Sequence, residues 1–81
     1  MMLNVGFNNF ISINRILAVL NPESAPMKRL KEEARQGNLL VDATQGRRTR
    51  SIILLDNGLV VLSGVQEETL VQRLGSKGAK E

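Results

Sequence analysis

The sequence predicts an α+β domain: a small mixed or antiparallel sheet of about five strands, one helix after the second or third strand, and a short C-terminal helix. Three observations predict it. The apolar runs Ile16–Leu20, Ile52–Leu55 and Leu59–Leu62 have the length of strands and are followed or bounded by turn residues. Met27, Leu30 and Ala34 recur at helical spacing between Pro26 and Gly37. Leu70, Val71 and Leu74 repeat that spacing near the C-terminus.

Taken in order, Met2-Leu3-Asn4-Val5-Gly6 reads as a short strand that bends at Gly6, and the Asn pair after it favours a turn. Phe10-Ile11-Ser12-Ile13 alternates as a half-buried strand does. Ile16–Leu20 has the length of a strand buried on both faces. A short helix from Asn14 competes with that reading, and periodicity does not separate them. Asn21–Ala25 is a loop. Pro26 suits the first helical position, with Ala25 outside because a residue before proline avoids helical angles. Gly37 ends this helix.

Leu39–Asp42 is the next strand. Ser51–Leu55 and Leu59–Leu62 form a hairpin around Asp56-Asn57-Gly58, whose Asn and Gly tolerate the positive φ of a tight turn. Both strands are apolar on both faces. One face is expected to pack on the helix after Pro26, and the other to need a second cover, for which a neighbouring subunit is the candidate. Glu67 and Glu68 open the last helix, favourably for its dipole, and Gly75 closes it. The reading is a single domain over 1–75 and a flexible C-terminal tail over 76–81.

With 81 residues and no cysteine or histidine, neither a disulfide nor the usual zinc ligand set can support so small a core. Oligomerisation is the remaining common support. The net charge is +3, so the distribution of charge matters more than its total. Two Phe and no Trp or Tyr offer little for stacking single-stranded bases, which favours duplex backbone contact over single-stranded RNA. No apolar run approaches the roughly 18 residues of a membrane span, and no signal peptide is evident. The expectation is a soluble, cytoplasmic protein.

The chemistry concentrates in Ala43-Thr44-Gln45-Gly46-Arg47-Arg48-Thr49-Arg50. Three arginines fall within four residues, on a turn between two strands, and no acidic residue occurs from Ala43 to Leu55. A guanidinium stays charged and its planar fork suits phosphate or carboxylate. Short basic clusters are common, however, and alone this one reads first as a solvated loop. Arg15 is the only charge in residues 1–22. It is either a strand-end arginine reaching water or a fourth cation brought beside the turn by sheet pairing. Asp42 is expected to hydrogen-bond the turn's backbone or brace an arginine. No serine has a recognisable partner base, no phosphate-loop pattern occurs, and an enzyme is the weak hypothesis.

The run from Leu40 to Arg50, Leu-Val-Asp-Ala-Thr-Gln-Gly-Arg-Arg-Thr-Arg, resembles the signature of the RemA family, the bacterial extracellular matrix regulatory proteins. Asn21–Arg29 resembles the family's Ser-Pro-Asp-Ser-Ala-Pro-x-Lys-Arg segment, and Leu62–Thr69 its Leu-Ser-x-x-Gln-Pro-Glu-Thr segment. The likeness runs in order from about Leu3 to Leu74. It implies a duplex DNA-binding transcriptional regulator of biofilm-matrix genes that assembles into a ring-shaped homo-oligomer, a heptamer or octamer. It implies that Arg15, Arg47 and Arg48 serve DNA binding and that Pro26 is needed for function; Arg50 is added in support. The chain departs from the family pattern at Gln45, where a ring such as Tyr is frequent, and at Glu67, which replaces a proline.

The expected partners are therefore double-stranded DNA and further copies of the chain, in a nucleoid-associated protein. No cofactor, metal, membrane or small-molecule substrate is expected. Phe7, Phe10, Ile52, Leu54 and Val60 are the expected subunit contacts, so a charge at Val60 is expected to split the assembly. Two other classes remain: a structural ring that binds acidic protein partners, and an RNA-binding module.

Overall fold

The computed structural model describes residues 1–78. The strands are β1 (Met2–Asn4), β2 (Phe10–Ser12), β3 (Ile16–Leu20), β4 (Leu40–Asp42), β5 (Ser51–Leu55) and β6 (Val60–Ser63), and the helices are α1 (Ala25–Gln36) and α2 (Glu67–Gly78). The α+β class holds, with both helices where the sequence puts them. The strands divide between two sheets, an antiparallel β1–β2 hairpin and a four-stranded mixed sheet in the order β3-β5-β6-β4.

The hairpin of β5 and β6 is the centre. It pairs Ser51 with Ser63 and Leu54 with Val60 around the turn at Gly58, where φ is +91°. Side chains alternate across the sheet. Ile52, Val60 and Leu62 point to one face, where Ala34 of α1 joins them and Met27 and Leu30 pack alongside. Ile53, Leu55 and Val61 point to the other, where Leu3 and Val5 of the N-terminal hairpin and Leu70 of α2 close over them. The continuous apolar runs are therefore explained inside one chain, by α1 on one side and by β1, β2 and α2 on the other.

The second cover that the hairpin needs comes from the same chain and not from the neighbouring subunit that is its candidate in the sequence. Ile52 and Val60 are only 1% and 3% exposed, and Leu54 is half-buried against the same cluster. Phe7 and Phe10 do lie on the surface. The β3 expectation is corrected too. The segment is a strand, preceded by a single 3-10 turn over Ile13–Arg15, but it is an edge strand. A bulge between Ile16 and Ala18 turns Leu17 out to solvent.

Helix boundaries shift slightly. Ala25 lies inside α1 with Ser24 as its N-cap, so Pro26 takes the second helical position. That position lies among the first four, whose N–H groups have no partner inside the helix. At the other end Asn38, not Gly37, takes the left-handed conformation, with φ +61°. The N–H of Asn38 reaches the carbonyl of Arg35 at 3.2 Å and that of Leu39 reaches Ala34 at 2.8 Å, the paired bonds of a Schellman ending. Gly75 does not stop α2, which runs on to Gly78. Glycine weakens a helix interior by only about 1 kcal/mol relative to alanine, which continued hydrogen bonding offsets. The first part of the expected tail is thus helical, and residues 79–81 lie outside the described residues. No helix among the described residues is long and apolar enough to cross a membrane.

Candidate functional site

The arginine segment is not a tight turn between neighbouring strands. β4 pairs in parallel with β6, Leu40 opposite Val60 and Asp42 opposite Leu62, while β5 lies on β6's other side. The loop 43–50 must therefore cross over the C-terminal end of β6. Both its ends are tied there: the N–H of Ala43 donates to the carbonyl of Leu62 at 2.9 Å and that of Arg50 to Ser63 at 2.8 Å.

Within the loop, Thr44 is buried and anchors the fold-back. Its backbone N–H and hydroxyl both donate to Asp42 Oδ1, at 2.9 and 2.6 Å. Its carbonyl accepts from the N–H of Arg47 at 3.0 Å, closing a turn over Gln45 and Gly46. Those two residues have φ of +56° and +80°, the left-handed angles that a turn of this kind requires. The turn projects Arg47 and Arg48 into solvent.

Asp42 thus bonds the loop's backbone, one of the two roles expected for it. The Thr44 hydroxyl, and then its N–H, hold the Asp42 carboxyl below its ordinary 3.8. Asp42→Ala would leave the buried Thr44 hydroxyl without its acceptor, and should cost about 1–3 kcal/mol of stability, read from urea unfolding midpoints. A lowered carboxyl pKa contributes stability fully above its unfolded value. The gap between parent and variant should therefore be constant at neutral pH and close as pH falls below 3.8 through the lowered pKa.

Two further hydroxyls brace the floor under the loop. Ser51 and Ser63 are fully buried and face each other across β5 and β6. Ser51 Oγ donates to the carbonyl of Val65 at 2.8 Å, and Ser63 Oγ to the carbonyl of Val5 at 2.7 Å while accepting from the N–H of Val65 at 3.0 Å. Both serines, which belong to no catalytic motif in the sequence, hold the β6 end, the N-terminal hairpin and the approach to α2 together.

The arginines have distinct surroundings. The Arg47 guanidinium lies 5.6 Å from the centre of the Phe7 ring, a cation–π distance. Arg48 Nη2 lies 3.1 Å from Glu23 Oε2, so the fold supplies an acid that the local sequence lacks. Arg50 makes no ion pair among the described residues. Arg15 does not join this group. β3 and β5 are antiparallel with Ile16 opposite Leu55, which puts Arg15 at the far end of β5, where it pairs with Asp56 at 3.2 Å. The six residue steps from Arg50 to Asp56 span roughly 20 Å of strand. The sheet thus separates Arg15 from the loop instead of bringing them together. A shallow groove beside the loop is lined by Asn21–Glu23, Arg48–Arg50 and Gln66–Glu68 at the start of α2.

A family model described as RemA-like, extracellular matrix regulatory protein A-like, matches residues 2–74. The chain belongs to the RemA-like family. The match takes in every strand, both helix starts and the whole arginine loop. A relative from Syntrophobacter fumaroxidans is 58% identical over 77 residues, covering 95% of this chain and 82% of the relative. One from Halalkalibacterium halodurans is 55% identical over 76 residues, covering 94% and 87%. One from Clostridium kluyveri is 50% identical over 80 residues, covering 99% and 87%. All three are named as candidate regulatory proteins, which sets this RemA-like chain among regulators by kinship.

Proposed function

We propose that this RemA-like protein is a non-enzymatic DNA-binding transcriptional regulator whose loop arginines, Arg47, Arg48 and Arg50, grip duplex phosphates. The observation that carries this reading is the loop itself: three guanidinium groups held in solvent on a frame tied to β6 and floored by buried hydroxyls. Preorganised forks lose little freedom on meeting phosphate oxygens. Among the described residues no helix exceeds 12 residues and neither presents an exposed face rich in Asn, Gln and Arg for the major groove, so backbone and shape dominate over base contacts. Preference between unrelated duplexes should be modest and should favour bendable DNA.

Arg15 enters through assembly. One subunit cannot bring Arg15 and the loop to the same short stretch of backbone, but a ring displays both repeatedly around one surface. Roughly three or four phosphate contacts per subunit give weak binding at cellular salt, each adding about 0.9 to the salt slope, and linked copies recover affinity through effective concentration. In this reading the copies meet through exposed apolar residues such as Phe10 and Leu17, and the protein works in the cytoplasm, associated with the nucleoid. Control of matrix genes is the regulatory role implied by the family.

The test is duplex binding at two salt concentrations, with single-stranded RNA and an acidic protein surface as competitors. Strong salt dependence and preference for duplex support the reading. Binding only to RNA or to the acidic protein would replace it with one of the other two classes.

The Glu23–Arg48 pair supplies a prediction in the opposite direction. Both side chains are about two-thirds exposed, and such a pair contributes roughly 0–1 kcal/mol. Phosphate can therefore displace Glu23 at small cost. Glu23→Gln should tighten DNA binding by about two- to fivefold at low salt, with the gain shrinking as salt screens it. Fluorescence anisotropy on one duplex at two ionic strengths would measure this.

A further inference from the structure

The chain has only two aromatic rings, Phe7 and Phe10, and neither is in the core. They are 47% and 51% exposed, both on the N-terminal hairpin. Rings usually dominate a core, because they carry the largest apolar surface, so a small domain that leaves both outside has another use for them.

Phe7 has the more unusual setting. Its φ is +53°, followed by Asn8 at +63° and preceded by Gly6 at +112°. A bulky side chain in the left-handed region is strained and persists only where its surroundings fix it. Here they do. The N–H of Asn9 donates to the Gly6 carbonyl at 2.9 Å, as does its side-chain amide at 3.0 Å, and the N–H of Val5 donates to the Asn9 carbonyl at 2.8 Å. Fully buried Val5 is itself held by the Ser63 hydroxyl. The tip is a rigid post carrying an apolar ring, and the Arg47 guanidinium stands 5.6 Å from that ring.

We propose that Phe7 is a wedge that enters the minor groove beside Arg47, partly unstacks one base step and bends the duplex. This rests on the DNA-binding reading. If Arg47 meets the backbone, a ring within 6 Å of it lies inside the same footprint. An apolar wedge flanked by arginine is the combination that minor-groove benders use. Single-strand binders instead stack successive bases on several rings, whereas Phe7 is the one ring that stands over a loop arginine among the described residues. The wedge favours flexible pyrimidine–purine steps over stiff A-tracts.

The experiment uses the full chain and the variant Phe7→Asn, since Asn tolerates the left-handed angle and keeps the tip folded. Duplexes labelled at both ends, carrying central TA steps or an A-tract, report bending by energy transfer. Sedimentation reports assembly size, and titration over salt reports phosphate contacts. The expected result is a folded variant of unchanged size and salt slope that no longer bends DNA. Its affinity for the TA duplex falls about tenfold, equivalent to about 1.4 kcal/mol, and the preference over the A-tract disappears. Unchanged bending in the variant overturns the wedge and leaves phosphate binding standing. A fall in assembly size overturns it in favour of a contact between copies. A parent chain that binds no duplex removes the wedge and the DNA reading together.

Discussion

Replacing Arg47 and Arg48 together with alanine should lower affinity for duplex DNA by at least about a hundredfold, with folding and assembly intact. A hydrogen bond to a charged partner contributes about 1.5–3 kcal/mol, so each lost contact costs roughly tenfold or more. Both side chains are exposed at the loop's crest, so removing them leaves the core untouched. The salt slope should fall by roughly two for each subunit in contact. Arg47→Lys should recover only part of the loss, because an ammonium carries charge without the bidentate fork. An unchanged affinity in the double variant, measured by anisotropy, would end the assignment of this loop to DNA.

Val60→Asp should abolish folding. Val60 is almost completely buried on the α1 face, among Ile52, Leu62 and Ala34. No cation is buried among the described residues to receive a carboxylate there. Burying an unpaired charge costs several kcal/mol, against a total stability of about 5–15 kcal/mol for a domain and less for one this small. The sequence alone suggests that this substitution would split an assembly; burial changes the expected outcome to loss of the circular dichroism signal and of any cooperative melt. The assembly question passes to Leu17→Asp, on the exposed bulge of edge strand β3. That variant should remain folded and sediment as a smaller species. If Val60→Asp kept a cooperative melt near that of the parent, the packing described for the α1 face would be wrong.

The contrast between Val60 and Leu17 shows what the sequence could and could not convey. Local chemistry is legible: Asp56-Asn57-Gly58 specifies a hairpin, and Met27, Leu30 and Ala34 specify a helix and its buried face. Apolar runs also announce strands. A one-dimensional pattern does not say what covers a face. Ile52–Leu55 and Leu59–Leu62 read as surplus apolar surface because the covering pieces, β1 and α2, lie at opposite ends of the chain. The site divides the same way. The arginine cluster and the role of Asp42 are visible locally, since Asp42 and Thr44 are two positions apart. Glu23 beside Arg48 and Phe7 beside Arg47 depend on contacts across 25 and 40 positions. The end of the sheet to which Arg15 belongs is decided by strand register, which local pattern leaves undetermined.

The crossing of the loop over β6 also orders events during synthesis. Ala43 and Arg50 are fixed by carbonyls of Leu62 and Ser63, which leave the ribosome after the arginines do. Ser63 in turn anchors Val5, so the Phe7 tip waits for the same strand. A nascent chain that has emerged only as far as the arginines carries their charge on an unanchored segment. β6 brings with it the carbonyls that tie the loop and the hydroxyl that holds Val5 below the tip. The ordered arginine loop is then a property of the completed chain: a product ending before Leu62 lacks both carbonyls that tie it.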